Sequence, residues 1–296
     1  QFLGVENIVQ SGGYAENCHY PGHFCLDYKR VVELGLEGSI ADLDLRIAAI
    51  DPADPDELDR LHFYQAARLV QQAVIRFAGR YAALAEELAR TAGPERRAEL
   101  LRIAEICRRV PAKPARTFQE GIQSCWLMSI AAMIECCGAG VSLGRCDQYL
   151  YPLYRDDLAS GRLTREQAKD LMSMLLIKMN DVTMLQAGFL QVGFSGYPVM
   201  QGLTIGGVDA EGRDAVNGLS YLILDSEEEV GLTAEELVIR ISGQNPDDYV
   251  VRACEVARNL SGKLKFVSDD STIAALVQYG LPEELARDYI SCGCHC

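Results

Sequence analysis

The hydrophobic positions in roughly the first two hundred residues repeat at helical spacing. One apolar stripe recurs every three or four residues from Val70 to Leu88, and it follows Asp54-Pro55-Asp56-Glu57, which is typical of a helix start. Thr117-x-x-Glu120 and Thr164-x-x-Gln167 have the spacing of capping boxes, and the helix after Thr117 is apolar enough to be buried on most sides. These patterns predict a layer of long helices over about residues 1–200.

From about residue 201 the pattern changes, and short β-rich runs alternate with helical stretches. The predicted strands are Leu203–Val208, Leu237–Ile241, Leu264–Val267 and Tyr289–Cys292, and the predicted helices cover about 215–225, 247–260 and 271–287. Such alternation predicts an α/β fold, as a sheet or a barrel, with reactive groups on loops at strand ends. We expect one domain over 1–296, with a helical layer at about 1–200 and the strand–helix alternation at about 201–296.

Composition narrows the classes of function. The chain has 296 residues, a net charge of −14 and no Lys/Arg-rich run, so nucleic acid is not expected as a partner. No apolar stretch is long enough to span a membrane, and no glycine-rich phosphate-binding motif supports a nucleotide cofactor. Eleven cysteines without the dense, even spacing of a small secreted protein fit a reducing cytoplasm. Because the chain opens on Gln1 rather than methionine, we expect a piece of a longer protein.

The last six residues, Ser291-Cys292-Gly293-Cys294-His295-Cys296, concentrate the candidate chemistry. Three cysteines and a histidine can form a soft-metal site, a redox pair, or a loop that presents one reactive sulfur. Cys-x-Cys is a less common metal-binding spacing than Cys-x2-Cys, and a second ligand pair is missing from the sequence. We therefore expect no bound metal, although all three interpretations remain open on spacing alone.

Several motifs occur together in one order along the chain. They are Gly22-His23-x-x-x-Asp27-Tyr28, Ile106-Cys107-Arg108-Arg109-Val110-Pro111, Ser142-Leu143-Gly144-Arg145-x-Asp147, Leu203-Thr204-Ile205-Gly206-Gly207, Ala286-Arg287-Asp288-Tyr289 and Gly293-Cys294. In this order the chain resembles the pyruvate formate-lyase family of glycyl-radical enzymes. The resemblance covers nearly the whole chain.

The resemblance implies a ten-stranded α/β barrel made of two half-barrels. This chain would supply the first half-barrel and the cysteine loop, wrapped by long helices, whereas the N-terminal helical region and the C-terminal part with the radical glycine would lie outside it. The only expected cofactor is that glycyl radical. The resemblance also implies a separate iron–sulfur activating enzyme that uses S-adenosylmethionine, and a homodimer when the protein is full length.

Cys294 matches the family's radical cysteine, which abstracts a hydrogen atom from the substrate as a thiyl radical. Many relatives carry a glutamate two residues later as a proton-transfer group, and this chain has Cys296 there. Cys296 could act as an acid or base only with a shifted pKa, for which His295 is a possible partner. The departure leaves the type of bond cleavage undetermined.

The resemblance also implies substrate-binding residues. His23 falls where polyol dehydratases place a substrate-contacting histidine, and Ser142 falls where several members hydrogen-bond substrate. Tyr197 and Met200 lie in a segment that resembles the pocket lining of the family. Asp27 could bind a cationic or hydroxylated substrate, whereas a structural hydrogen bond is the simpler interpretation.

The sequence thus predicts a fragment of a glycyl-radical lyase that acts on a small polar or carboxylated substrate and cleaves a C–C, C–O, C–S or C–N bond. An alternative is a non-catalytic metal-binding or redox module built on Cys292, Cys294, His295 and Cys296. A third hypothesis is an inactive remnant that serves as an assembly partner.

Overall fold

The structure is a computed structural model that describes residues 22–136, 140–182, 201–233, 235–261 and 263–293. It is a mixed α/β fold in which helices predominate. The helices are α1 (Tyr28–Ala48), α2 (Pro55–Ala89), α3 (Pro94–Arg109), α4 (Phe118–Cys136), α5 (Cys146–Tyr149), α6 (Tyr151–Ala159), α7 (Arg165–Asn180), α8 (Gly218–Val230), α9 (Asp247–Asn259), α10 (Asp269–Gln278) and α11 (Glu283–Arg287). The strands are β1 (Phe24–Cys25), β2 (Val141–Ser142), β3 (Gln201–Gly206), β4 (Glu235–Ile241) and β5 (Lys265–Ser268).

The chain divides into two compact units, and Asp27–Ala131 forms the helical one. α1 kinks at Gly35, whose φ is 71° and whose added Cβ would lie 2.5 Å from the carbonyl oxygen of Ala112. Only glycine combines this left-handed conformation with so close an approach. α2 begins at Pro55, as the proline and its preceding aspartate predict. Small side chains let α2 pack closely on α3, and this core contains Ala78, Ala82, Ala85, Ala89, Leu100, Ala104 and Cys107.

The two predicted capping boxes have different outcomes. At α7 both halves form, with Gln167 N donating to Thr164 Oγ1 and Thr164 N donating to Gln167 Oε1. At α4 Glu120 N donates to Thr117 Oγ1, but the Glu120 carboxylate accepts a hydrogen bond of 2.7 Å from the backbone N–H of Arg116. The Arg116 guanidinium also binds this carboxylate, which explains why Glu120 turns to Arg116.

The second unit contains the described residues up to Leu26 and the described residues from Ala132 onward. Its strands β3, β4 and β5 form a parallel sheet, and β1 pairs with β2, also in parallel. Leu143 N donates to Gly202 O and Thr204 N donates to Gly144 O, each at 2.8 Å, so the chain beyond β2 continues the pairing onto β3. The two parallel sheets, β1-β2 and β3-β4-β5, are therefore joined beside each other through the parallel bridge between Gly144 and Leu203.

One face of this sheet is covered by helices. Leu203, Ile205, Leu237 and Ile239 alternate along β3 and β4 and are fully buried, as expected for a parallel sheet between layers. α7 packs against α8 and β4, and α8 packs against α9. In the part of the chain that the structure describes, no helix is both long and apolar enough to cross a membrane.

The strand and helix predictions after residue 201 hold with two corrections, and the helix predicted at about 215–225 covers Gly218–Val230. β3, β4 and β5 occur where predicted, within two residues at each end. Tyr289–Cys292 is not a strand, because a buried arginine, rather than a neighbouring strand, binds the carbonyl of Tyr289. The helix predicted over 271–287 ends at Gln278 and resumes at Glu283, because Gly280 has a φ of 98° and Pro282 precedes the second helix.

Candidate active site

The sheet has a second face, on which a non-helical segment lies. We call it the inner face and define it by the alternate strand residues Gly202, Thr204, Gly206, Glu236, Val238, Arg240, Lys265 and Val267. Ser142, which binds Gly202, and Gly144, which lies against Ile290, adjoin this face. The segment starts at Arg287, the last residue of α11, and continues without helical structure to Gly293; we call Arg287–Gly293 the crossing segment, and it leads to Cys294. Its contacts begin at the carboxyl end of β4, beside Arg240, and end near the start of β5, beside Lys265. The crossing segment therefore runs opposite to the strands.

Glycines on the inner face let the crossing segment lie directly against the sheet. A Cβ added at Gly202 would lie 3.0 Å from the carbonyl oxygen of Ser291 and 2.9 Å from Ser142 Oγ. A Cβ added at Gly144 would lie 3.4 Å from Cγ2 of Ile290. Larger residues at these two positions would displace the segment.

A buried ion pair holds the first part of the crossing segment. Arg240 and Asp269 have side-chain exposures of 0% and 1%, and they pair through two hydrogen bonds of 2.8 and 2.9 Å. The same guanidinium donates to the carbonyl oxygens of Arg287 at 2.8 Å and Tyr289 at 3.1 Å, and it lies 4.0 Å from the centre of the Tyr289 ring. Asp269 also accepts from Tyr289 OH and from the backbone N–H of Val208. Burial raises the pKa of Tyr289, so its hydroxyl remains a donor to Asp269.

A second arginine ties the crossing segment to the end of β3. Arg145 donates to Asp288 Oδ1 and to the carbonyl oxygen of Val208, both at 2.8 Å. Nearby, the fully buried carboxylate of Asp147 accepts from the backbone N–H of Gly206 and from the hydroxyl of Ser220. Burial raises the pKa of Asp147, although the Arg145 guanidinium acts in the opposite direction.

The last described residue, Gly293, lies between two polar side chains. Its φ is 51°, and an added Cβ would lie 2.5 Å from Cδ2 and 2.6 Å from Nε2 of His23. Lys265 Nζ donates to its carbonyl oxygen at 3.2 Å and lies 2.5 Å from Glu236 Oε2. This arrangement places a histidine and a charged pair at the peptide bond that precedes Cys294.

The predicted substrate residues have different surroundings. Ser142 is fully buried, and its hydroxyl accepts from Gly202 N at 3.0 Å and donates to Gly140 O at 3.4 Å. Asp27 caps α1 by accepting from Arg30 N at 3.0 Å. These bonds are the structural ones, so the substrate roles of Ser142 and Asp27 stay predictions.

Four other predicted residues, Tyr197, Met200, Cys294 and Cys296, lie outside the described residues. His23 and Ser142 both contact residues at the amino ends of the strands, and the structure thus brings these two into one region of the second unit. Sequence reasoning missed Lys265, Glu236 and the buried pair of Arg240 and Asp269. The available signal was the presence of charged residues in or beside strands predicted to be buried.

Fold and site together define an α/β protein whose parallel sheet holds a peptide segment, ending in a cysteine-rich run, across its inner face. A family model described as pyruvate formate lyase-like matches residues 6–296. The chain belongs to the pyruvate formate lyase-like family.

Similar proteins come from several bacteria. The chain is 37% identical over 272 residues to an isethionate sulfite-lyase of Nitratidesulfovibrio vulgaris, covering 90% of this chain and 33% of that protein. A structure described for 1,2-propanediol dehydration in Roseburia inulinivorans matches with a TM-score of 0.88 and 36% identity, over 92% of this chain and 34% of the other. The glycerol-bound B12-independent glycerol dehydratase of Clostridium butyricum matches with the same TM-score at 35% identity, over 92% and 34%. The chain thus spans about one third of the length of these relatives.

The comparisons do not favour the alternative of a metal-binding or redox module. Within the described ranges, no group of three or more histidine, cysteine, aspartate or glutamate side chains could hold a metal ion. Of the terminal cluster, only Cys292 is described, and it is buried.

Proposed function

We propose that this chain is part of a glycyl-radical lyase and that Cys294 is its thiyl-radical residue. The observation that carries the proposal is the course of the crossing segment, which runs over the inner face and reaches Gly293 between His23 and Lys265. Family membership supports the same assignment, because the relatives include a sulfite-lyase, dehydratases and a decarboxylase. A glycine outside this chain would supply the radical.

The five parallel strands support the expected half-barrel. Neighbouring strands lie about 4.8 Å apart, so the outer strands of a flat five-stranded sheet are separated by about 19 Å. Gly293 nevertheless contacts His23, which directly precedes β1, and Lys265 on β5. Side chains stand roughly perpendicular to a sheet, so the contact of one glycine with residues at both ends of this row of strands supports a curved arrangement. A ten-stranded barrel would follow if a second such half-sheet closed it.

The chemistry suits an enclosed site. A thiyl radical on Cys294 would take a hydrogen atom from a substrate C–H bond, forming S–H and leaving a carbon radical. After bond cleavage, the thiol would return the hydrogen atom to the product radical. The residues of this chain would orient the sulfur and exclude water, whereas acid–base catalysis would need a proton-transfer group in place of the usual glutamate. Cys296 stands at that position.

Substrate contacts are proposed for His23, Ser142, Asp27, Tyr197 and Met200. The names of the relatives favour a small hydroxylated or sulfonated substrate, and isethionate, glycerol and 1,2-propanediol are the first candidates. An iron–sulfur activating enzyme and a homodimer are the proposed partners of the full-length protein.

The test is Cys294→Ala in the activated full-length protein, with product formation measured on those three candidates. We expect the glycyl-radical signal in electron paramagnetic resonance to be retained and turnover to fall to background. Cys254→Ala is the matched control, since Cys254 is exposed on α9. Turnover by the Cys294→Ala protein at the rate of the control would reject the assignment.

A further inference from the structure

Lys265 and Glu236 form a charged pair on the inner face, beside the end of the crossing segment. They lie on the adjacent strands β5 and β4, with side-chain exposures of 20% and 18%. Lys265 Nζ lies 2.5 Å from Glu236 Oε2 and 3.2 Å from the carbonyl oxygen of Gly293. A single ammonium group therefore links a strand carboxylate to the backbone that precedes Cys294.

The contact acts on a particular peptide bond. The Gly293 carbonyl belongs to the planar unit that also contains the amide nitrogen of Cys294. Fixing the position of this oxygen thus restrains the backbone from which the sulfur projects. Gly293 itself, with its φ of 51°, would otherwise be the most freely rotating residue of the segment.

The carboxylate of Glu236 fixes the position of the Lys265 ammonium group. A lysine side chain has a flexible four-carbon stem, and fixing it costs about 2 kcal/mol of rotamer entropy. A lysine without a second partner therefore holds a carbonyl group poorly. The charge-assisted bond to Glu236 holds the ammonium on the inner face. His23 lies against the α-carbon of Gly293, where an added Cβ would clash with its ring. The glycine is thereby confined both at its α-carbon and at its carbonyl oxygen.

We propose that Lys265, held by Glu236, is a positioning residue that orients Cys294 through the Gly293 carbonyl. The proposal rests on the radical role of Cys294 proposed above. Hydrogen abstraction needs the sulfur and the substrate carbon at about 3–3.5 Å, and a misplacement of about 1 Å costs roughly 100-fold in rate. Loss of the ammonium should therefore lower kcat and leave KM nearly unchanged.

The experiment uses full-length protein carrying Lys265→Met, which keeps an unbranched side chain one atom shorter and removes its charge. Lys265→Arg tests rescue by a conserved charge, and Glu236→Gln tests the anchor without changing Lys265. Lys178→Met is the matched control, because Lys178 forms an exposed pair with Asp181 on the surface of the same unit.

Two readouts separate this proposal from the radical assignment. The first is the rate at which iodoacetamide alkylates Cys294 before activation, measured by peptide mass spectrometry with the exposed Cys254 as internal reference. It requires neither a radical nor a substrate. The second is kcat and KM after activation, together with the glycyl-radical signal.

For Lys265→Met we expect alkylation of Cys294 to rise about tenfold and kcat to fall roughly 10- to 100-fold, with KM and radical yield unchanged. Glu236→Gln should change both in the same direction, Lys265→Arg should recover most of the loss, and Lys178→Met should match the unmodified protein. Unchanged alkylation in both Lys265→Met and Glu236→Gln would overturn the proposal, even if Cys294→Ala abolishes turnover. If Cys294→Ala retains turnover, the radical assignment fails while the alkylation result still decides whether Lys265 orients this cysteine.

Discussion

Replacing Arg240 by leucine should release the crossing segment from the inner face. Arg240 is fully buried, and its guanidinium makes two hydrogen bonds to Asp269 and two to backbone carbonyls of the segment. Leucine would leave the Asp269 carboxylate buried, with Val208 N–H and Tyr289 OH as its remaining donors among the described residues. Breaking a buried pair by removing one partner costs about 3–5 kcal/mol.

The cost can be measured locally, because Cys292 lies in the segment and is buried at 7% exposure. Alkylation of a buried thiol under native conditions requires local opening, so its rate reports the free energy of that opening. A loss of about 3–5 kcal/mol corresponds to a rate increase of roughly 160- to 5,000-fold, since each 1.36 kcal/mol is a factor of ten. The assay is iodoacetamide labelling of the full-length protein, quantified on the Cys292 peptide.

The control replaces another arginine by leucine in the same unit. Arg252 pairs with Asp225 at 2.8 Å and with Glu228 at 2.5 Å, and its side chain is 25% exposed. Arg252→Leu should leave Cys292 labelling unchanged. Labelling of Arg240→Leu within twofold of the control would refute the idea that the buried pair holds the segment.

Two further outcomes are expected. Gly293→Ala should lower kcat at least tenfold, because the added Cβ would meet the His23 ring. Gly161 also has a left-handed φ but has open space around it, so Gly161→Ala should lose only a little stability. Equal losses of kcat in the two variants would show that backbone strain alone is responsible. Asp147→Asn should change the pH dependence of urea unfolding. The pKa of Asp147 is raised by burial, so its stabilising contribution is complete below the unfolded pKa of about 3.9 and is lost as pH rises through the folded pKa. The free energy of unfolding of the variant relative to the unmodified protein should therefore increase with pH, and a constant difference would contradict this reasoning.

The parts of the fold that could be predicted from sequence are those set by neighbouring residues. Pro55 and the Thr164–Gln167 box define helix starts through groups within a single turn, and both appear as expected. For the same reason, three of the four strands predicted after residue 201 occur.

The failures arise where distant residues decide the conformation. Tyr289–Cys292 has the apolar composition of a strand, yet its backbone is held by Arg240, which lies about fifty positions earlier. The capping box at Thr117 is half formed because Arg116 competes for Glu120. Likewise, the contact between Lys265 and Gly293 joins two elements whose proximity no local pattern reveals. The role of Cys294 rested on its motif and remains a proposal.

The direction of the crossing segment alters where a reactive group should be sought. In open parallel α/β sheets, ligands usually bind beyond the carboxyl ends of the strands. Here the segment starts at that edge, where Arg240 holds Arg287, and runs back across the glycines of the inner face to Gly293, near the starts of β1 and β5. The segment has no strand ladder, so the buried arginine and the lysine pair must bind its carbonyls. The charged side chains on the inner face are thus explained by the backbone carbonyl groups that they bind, and the proposal above extends their effect to the following cysteine.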